Sequence, residues 1–128
     1  MKGTLYINNE AIGEANFMVT DESMGGIGGE LMPFPAYEKH KSAIRLLCEE
    51  KGIANVEDFN FKIVMEGNIT LEPIGGIGIT DFKEVNEPYV ESAGIDSGII
   101  EKIKATDKSP NSPVSLRIRK FFSAFFGS

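Results

Sequence analysis

Apolar and polar residues alternate in short runs along most of the chain, which is the period of half-buried β-strands. The run at 3–7 places Leu5 and Ile7 on one face. After a polar turn at 8–10, the run at 11–20 takes up the alternation again. The two runs therefore predict a β-hairpin at the start of the chain.

A second hairpin is predicted near the middle of the chain. Residues 59–66 alternate strictly, and their apolar face consists of Phe59, Phe61, Ile63 and Met65. Gly67 and Asn68 supply a two-residue turn that can take positive φ, and the chain returns at 69–71. Further short strands are predicted at 30–32, 77–81, 89–90 and 114–119.

One longer segment follows the period of an α-helix instead. Between residues 36 and 51 apolar side chains recur every three to four positions, with Pro35 before the segment and Gly52 after it. The expected buried stripe is Tyr37, His40, Ile44, Leu47 and Cys48. A short second helix is predicted near 97–104, with Asp96 as its N-cap.

Together these elements predict an α+β domain. About six to seven short strands should form a strongly bent antiparallel sheet or a small open β-barrel, packed by the main helix. The compact domain is expected to cover residues 1–104. A linker rich in Ser, Pro and Asn follows at 105–113, and a basic, aromatic segment at 114–128 completes the chain.

Two stretches share the string Gly-Gly-Ile-Gly, at 25–28 and 75–78. Neither fits a phosphate-binding loop, because no lysine follows and two prolines separate the first copy from the next helix. Their flanks have little in common, so an internal duplication is not indicated. Since glycine in strands is typical of bends and close backbone approach, both stretches are predicted to be such places.

The first glycine stretch overlaps the pattern Asp-x-Ser-x-x-Gly, formed by Asp21, Ser23 and Gly26. This pattern resembles half of the signature of the PilZ domain, a small β-barrel that binds cyclic di-GMP. The resemblance implies that Asp21, Ser23, Gly25 and Gly26 contact a nucleotide. It covers six residues, and the arginine pair of the other half of the signature is missing, since Lys2 is the only basic residue before Asp21.

The net charge of −6 is unevenly distributed. Residues 1–99 carry seven Lys or Arg against seventeen Asp or Glu, a charge of −10, whereas residues 100–128 carry six against two, a charge of +4. Because an acidic body repels nucleic acid, nucleic-acid binding is not expected. The basic end is expected to dock on the acidic body or to contact an acidic partner.

Residues suited to catalysis or metal binding are few. The single cysteine, Cys48, excludes an internal disulfide and a cysteine-rich zinc site, and the sole histidine, His40, lies too far along the same helix for a Cys–His pair. No metal or cofactor is therefore expected. A carboxylate-dependent enzyme stays open as an alternative, with Glu66, Glu72 and Asp81 on neighbouring predicted strands.

The C-terminal segment combines cations with aromatic rings. Its candidate partner-binding residues are Arg117, Arg119, Phe121, Phe122, Phe125 and Phe126. The phenylalanines fall at i, i+1, i+4 and i+5, which places them on one face of a helical turn and a half. The segment is expected to complete the core or to bind a partner, and contact with an anionic membrane surface is a further alternative.

The preferred interpretation is a small non-enzymatic domain that acts through protein–protein contact or self-association. Nucleotide sensing through the loop at 21–26 and carboxylate-dependent catalysis are the alternatives. A cytoplasmic location is expected, because the N-terminus lacks the apolar stretch of a signal peptide and no segment approaches membrane-spanning length.

Overall fold

The fold is α+β, as predicted. The computed structural model describes residues 1–71, 75–85 and 87–106, in which nine strands form one antiparallel sheet and two helices pack on it. The strands are β1 (Lys2–Ile7), β2 (Glu10–Asn16), β3 (Met18–Asp21), β4 (Gly26–Pro33), β5 (Ala54–Asn55), β6 (Phe61–Met65), β7 (Ile69–Thr70), β8 (Ile77–Thr80) and β9 (Tyr89–Ser92). The helices are α1 (Glu38–Lys51), preceded by a 3₁₀ turn at Pro35–Tyr37, and α2 (Ser97–Thr106).

The sheet is strongly curled and forms a half-barrel. Its strands follow the order β5-β8-β9-β4-β2-β1-β6-β7, and β3 pairs with β4. Strand β4 is shared: on one edge its first half pairs with β3 and its second half with β2, while β9 pairs with the other edge. The chain therefore turns a corner between β2 and β3, where it passes along β4.

Both predicted hairpins are confirmed. Strands β1 and β2 are joined by Asn8 and Asn9, whose φ angles of 51° and 66° are the left-handed values of a tight hairpin turn. Strands β6 and β7 are joined through Gly67 and Asn68, with φ of 83° and 60°. Asparagine and glycine tolerate this conformation better than other residues, so these turns could be located from the sequence.

The main helix also forms where it was predicted. Its last turn is closed by Gly52, which has a φ of 88° and whose N–H donates to the carbonyl of Cys48. Tyr37, Ile44 and Cys48 of the expected stripe are buried, whereas Leu46 is 54% exposed, as its place on the other face requires. The second helix begins after Asp96, whose carboxylate accepts the N–H of Gly98 at 2.9 Å, as an N-cap does.

Two strands differ from the expectation. No strand was predicted between the main helix and residue 59, but Ala54–Asn55 pairs with β8, and a strand of two residues is too short to show an alternation. The strand predicted at 30–32 is longer, since β4 begins at Gly26. Glycines at 26, 28 and 29 remove the apolar and polar alternation, so the first half of β4 carries no strand signal.

The glycine stretches are places of bending and close approach, as predicted. A Cβ on Gly29 would lie 2.7 Å from the carbonyl oxygen of Asn16, where the chain turns the corner between β2 and β3. A Cβ on Gly75 would lie 2.9 Å from the Cβ of Ala93. Gly25 and Gly76 have φ of 61° and 86°, values that other residues rarely adopt.

The core lies between one face of the sheet and the two helices. Ile27, Ile79 and Val90 contribute to it from the sheet, and all three are completely buried. Ile44 of α1 and Ile103 of α2 belong to the same cluster. Helix α1 packs against β5 and β8, and α2 packs against β3.

From residue 107 on, the predicted linker and the basic, aromatic segment lie outside the described residues. Neither helix of the described part is long and apolar enough to cross a membrane.

Candidate functional site

The four residues of the nucleotide-binding hypothesis come together in the turn between β3 and β4. The Asp21 carboxylate accepts hydrogen bonds from the Ser23 hydroxyl at 2.7 Å and from the Met24 N–H at 3.2 Å. These bonds lower the pKa of Asp21. Gly26 lies opposite Asp21 in the hairpin, and the Gly25 carbonyl accepts the N–H of Ile95. Asp21 and Ser23 thus bond to their own turn, which is the ordinary role of these residue types there.

A second group of polar side chains is buried between α1 and the end of β8. The Tyr37 hydroxyl donates to one oxygen of Asp81 at 2.6 Å, and the Arg45 Nε donates to the other at 3.1 Å. Asp81 is completely buried, and about a fifth of the Arg45 side chain is exposed. The Asp81 N–H points at the Cys48 sulfur, 3.4 Å away. The buried negative charge of Asp81 is therefore neutralised by the positive charge of Arg45, and the Asp81 carboxylate also accepts a hydrogen bond from Tyr37.

The environment of this cluster keeps its proton-bearing groups inert. Burial, and then the hydrogen bond to Asp81, raises the pKa of Tyr37, so the phenol stays neutral. Burial also raises the pKa of the Cys48 thiol, which disfavours the reactive thiolate. His40 packs edge-on against Phe59 instead, with ring centroids 6.0 Å apart. The arrangement resembles a structural ion pair more than a catalytic one.

The carboxylates of the enzyme hypothesis are not neighbours in the sheet. Glu66 follows β6 and Asp81 follows β8, and four strands lie between β6 and β8 in the sheet order. The expectation of adjacent strands was therefore wrong for this pair, because strand order depends on long-range pairing. Glu72 lies outside the described residues. Within the ranges that the structure describes, no group of three or more His, Cys, Asp or Glu is arranged to hold a metal ion.

The face of β4, β9 and β8 that points away from the core brings the two glycine stretches together. Residues directly opposite one another in antiparallel strands share a face. Glu91 of β9 lies opposite Gly28 of β4 on one side and Gly78 of β8 on the other. Tyr89, two residues earlier, lies opposite Glu30 and Thr80. We call this surface the outer face; it consists of Met18, Gly28, Glu30, Gly78, Thr80, Tyr89 and Glu91.

Glu91 is the distinctive residue of the outer face. Both of its cross-strand neighbours are glycines, and the space that their side chains would fill is taken by the side chains of Tyr89 and Ile53. A Cβ on Gly28 would collide with the hydroxyl of Tyr89, and a Cβ on Gly78 would collide with the side chain of Ile53. The Glu91 carboxylate is half-buried, and this burial raises its pKa. It has no hydrogen bond or ion pair to any residue that the structure describes.

The outer face holds a second polar group without a partner. Thr80 is 1% exposed, and within the described part of the chain its hydroxyl oxygen accepts or donates no hydrogen bond. Burying a hydroxyl in this way costs about 1–3 kcal/mol. Tyr89, next to it, is 5% exposed, and burial followed by the charge of Glu91 raises the pKa of its phenol. Because the Thr80 hydroxyl is inaccessible, the half-buried Glu91 carboxylate is the group on this surface that favours a ligand, and it favours one with a positive charge.

The sequence contained a signal for this surface, but it could not be interpreted without the pairing register. The two glycine stretches gave the signal, but β9, which lies between them in the sheet and carries Glu91, was not identified as their common neighbour.

The partner-binding residues predicted in the C-terminal segment, from Arg117 to Phe126, lie outside the described residues. The sequence matches no family model, and comparisons with curated proteins and with solved structures give no match either.

Proposed function

We propose that this chain is a non-enzymatic binding domain that contacts protein segments through its outer face. The observation that carries the proposal is the half-buried carboxylate of Glu91, set between Gly28 and Gly78 with no partner among the described residues. A carboxylate in this position gains most from a ligand that brings a cation, since a charged hydrogen bond is stronger where water is partly excluded.

The surroundings of Glu91 define the chemistry of the partner. Ile53, which is partly exposed, lies beside Gly78 on one side of the carboxylate and presents apolar surface there. A segment that combines Arg or Lys with aromatic side chains fits both features, because an aromatic ring packs on apolar surface while the cation reaches the acid. The charge of −10 on residues 1–99 attracts such a segment over longer distances.

A titration with a defined peptide tests the proposal. The probe is a synthetic peptide with the sequence of residues 114–128, which carries three cations and four phenylalanines, and the control peptide has glutamate in place of the three cations. Since the chain's own end has the same chemistry, the titrated protein is full-length but carries Arg117→Glu, Arg119→Glu and Lys120→Glu. We call this variant the tail-reversed chain.

Nuclear magnetic resonance gives the readout. The cationic peptide is expected to shift the amides of β4, β8 and β9 saturably, and Glu91→Lys in the tail-reversed chain should weaken binding at least about tenfold, or about 1.4 kcal/mol. The acidic control peptide should bind no better than background. The proposal is wrong if neither peptide perturbs these strands, or if Glu91→Lys leaves the affinity unchanged.

A further inference from the structure

An exposed apolar surface borders Glu91 on the side of β8. The side chain of Ile53 occupies the place where a Cβ on Gly78 would be. Val56 packs beside Gly76, where a Cβ would lie 3.5 Å from the Cγ2 of the valine. Ile53 is partly exposed, and Val56 is 49% exposed. These two side chains therefore form an apolar surface next to the strand that carries Glu91, and we call them the apolar ridge.

Hydrogen bonds fix the turn that carries Val56. The Asn55 N–H donates to the Asp58 carboxylate at 3.0 Å, and the Asp58 N–H donates to the Asn55 carbonyl at 2.9 Å. The Glu57 N–H donates to the side-chain oxygen of Asn55 at 2.9 Å. Lys51 forms an ion pair with Asp58 at 2.7 Å. The turn thus holds Val56 exposed, and a surface that is already fixed loses little conformational entropy when a ligand covers it.

We infer that the apolar ridge binds an aromatic side chain from the same segment whose cation pairs with Glu91, so that Val56 selects among cationic segments. The inference rests on the proposed function, because it takes Glu91 to be the residue that holds the cation. The carboxylate pairs with any Arg or Lys that reaches it, whereas the ridge favours segments that also bring a ring. An aromatic ring covers a large apolar area and has few torsions to fix.

The separation of the ridge and the carboxylate sets the spacing of the two groups in the segment. Gly76 lies two residues before Gly78, about 7 Å along the chain, and Glu91 lies opposite Gly78 at about 4.8 Å. Val56 and Glu91 therefore mark two points about 8 Å apart on this surface. In an extended segment, residues two positions apart share a face and are separated by about 7 Å. An aromatic residue two positions from an Arg or Lys thus reaches both points.

The peptide of residues 114–128 contains this spacing twice, since Phe121 follows Arg119, and Phe122 follows Lys120, by two positions. Its other two phenylalanines lie at least five positions from the nearest cation. Two further peptides separate these pairs. The near variant has serine in place of Phe121 and Phe122, and the far variant has serine in place of the other two phenylalanines.

A double-mutant cycle between protein and peptide tests the inference. Val56→Ser is introduced into the tail-reversed chain, and affinities are measured by the same resonance titration. For the unaltered peptide, Val56→Ser should weaken binding at least about fivefold, since it removes two methyl groups from the contact. For the near variant the loss should be less than about twofold, because the ring that covers Val56 is absent. For the far variant the fivefold loss should remain.

A matched variant and a direct contact measurement complete the experiment. Leu46 is 54% exposed on α1, so Leu46→Ser also removes an exposed apolar side chain and should change the affinity less than about twofold. Because Val56 is exposed, Val56→Ser should leave the urea midpoint unchanged. Intermolecular nuclear Overhauser effects are expected between the Val56 methyl groups and the aromatic protons of the unaltered peptide and the far variant.

The outcomes separate the inference from the proposed function. Equal losses for the unaltered peptide and the near variant, or no contact between the Val56 methyl groups and the rings, would overturn the inference. A loss for Leu46→Ser as large as that for Val56→Ser would overturn it too. In each of these cases the proposed function stands as long as Glu91→Lys weakens binding. If the cationic peptide does not bind the tail-reversed chain, the proposed function fails, and the inference fails with it.

Discussion

The ion pair between Arg45 and Asp81 supports the sharpest stability prediction. Replacing Arg45 by methionine keeps an unbranched side chain but leaves the Asp81 carboxylate, which is completely buried, without an opposite charge. Breaking a buried pair in this way costs about 3–5 kcal/mol. Because about a fifth of the Arg45 side chain is exposed, water can replace part of the lost interaction. We therefore expect a loss of about 3 kcal/mol, which is a large share of the roughly 5–15 kcal/mol that stabilises a domain.

A double-mutant cycle shows whether this loss comes from the buried charge. Asp81→Asn removes the charge and keeps the shape, so Arg45→Met should cost only about 1 kcal/mol in the Asp81→Asn background, giving a coupling of about 2 kcal/mol. Lys39→Met is the matched control, since Lys39 pairs with Glu10 at 2.7 Å but both side chains are largely exposed. Such a surface pair contributes less than about 1 kcal/mol.

The assay is equilibrium unfolding in urea, followed by circular dichroism. A loss below about 1 kcal/mol that is the same in the unaltered and the Asp81→Asn backgrounds refutes the reasoning.

Three further predictions concern single contacts. Gly29→Ala should lower the free energy of unfolding by more than about 2 kcal/mol, measured in urea, because its Cβ would lie 2.7 Å from the carbonyl oxygen of Asn16. Gly67→Ala has open space around it and should cost only the backbone strain of about 1–2 kcal/mol, so equal losses for the two variants would contradict this prediction. Asp96→Ala should remove the N-cap of α2 and about 1 kcal/mol of stability by the same measurement, and an unchanged midpoint would count against that role. Cys48 should react with a thiol reagent at least about a hundredfold more slowly in the folded chain than in urea, because it is 2% exposed and its pKa is raised; comparable rates would show that the core is open.

Elements specified by nearby residues could be predicted from the sequence. Asn8 and Asn9 mark one turn, Gly67 and Asn68 mark another, and Gly52 ends the main helix, each through backbone conformations that few residues tolerate. The helix stripe was equally clear because its period is local. These features depend on contacts within a few positions along the chain, so their signals survive without knowledge of the fold.

Features specified by strand pairing could not be predicted. Nothing near Asp81 in the sequence indicates that Arg45 and Tyr37 will meet it, since they lie 36 and 44 residues away. Glu66 and Asp81 were expected on neighbouring strands, but the observed strand order separates them, and the sequence carries no signal for that order. The first half of β4 was missed for a different reason: glycines at 26, 28 and 29 leave no side chains whose alternation could be detected.

The two Gly-Gly-Ile-Gly strings show how a local sequence signal and long-range strand pairing combine. β4 and β8 both pair with β9, so Ile27 and Ile77 face the same residue, Ser92, while Gly28 and Gly78 face Glu91. Equivalent positions of the two strings therefore lie side by side across one strand. Their flanks have little in common, so this likeness needs no duplication: each neighbour of β9 must bury an isoleucine on the core face and leave space beside Glu91 on the other. The repeated string follows from one structural requirement that applies on both sides of β9, and that requirement creates the surface on which we propose that partners bind.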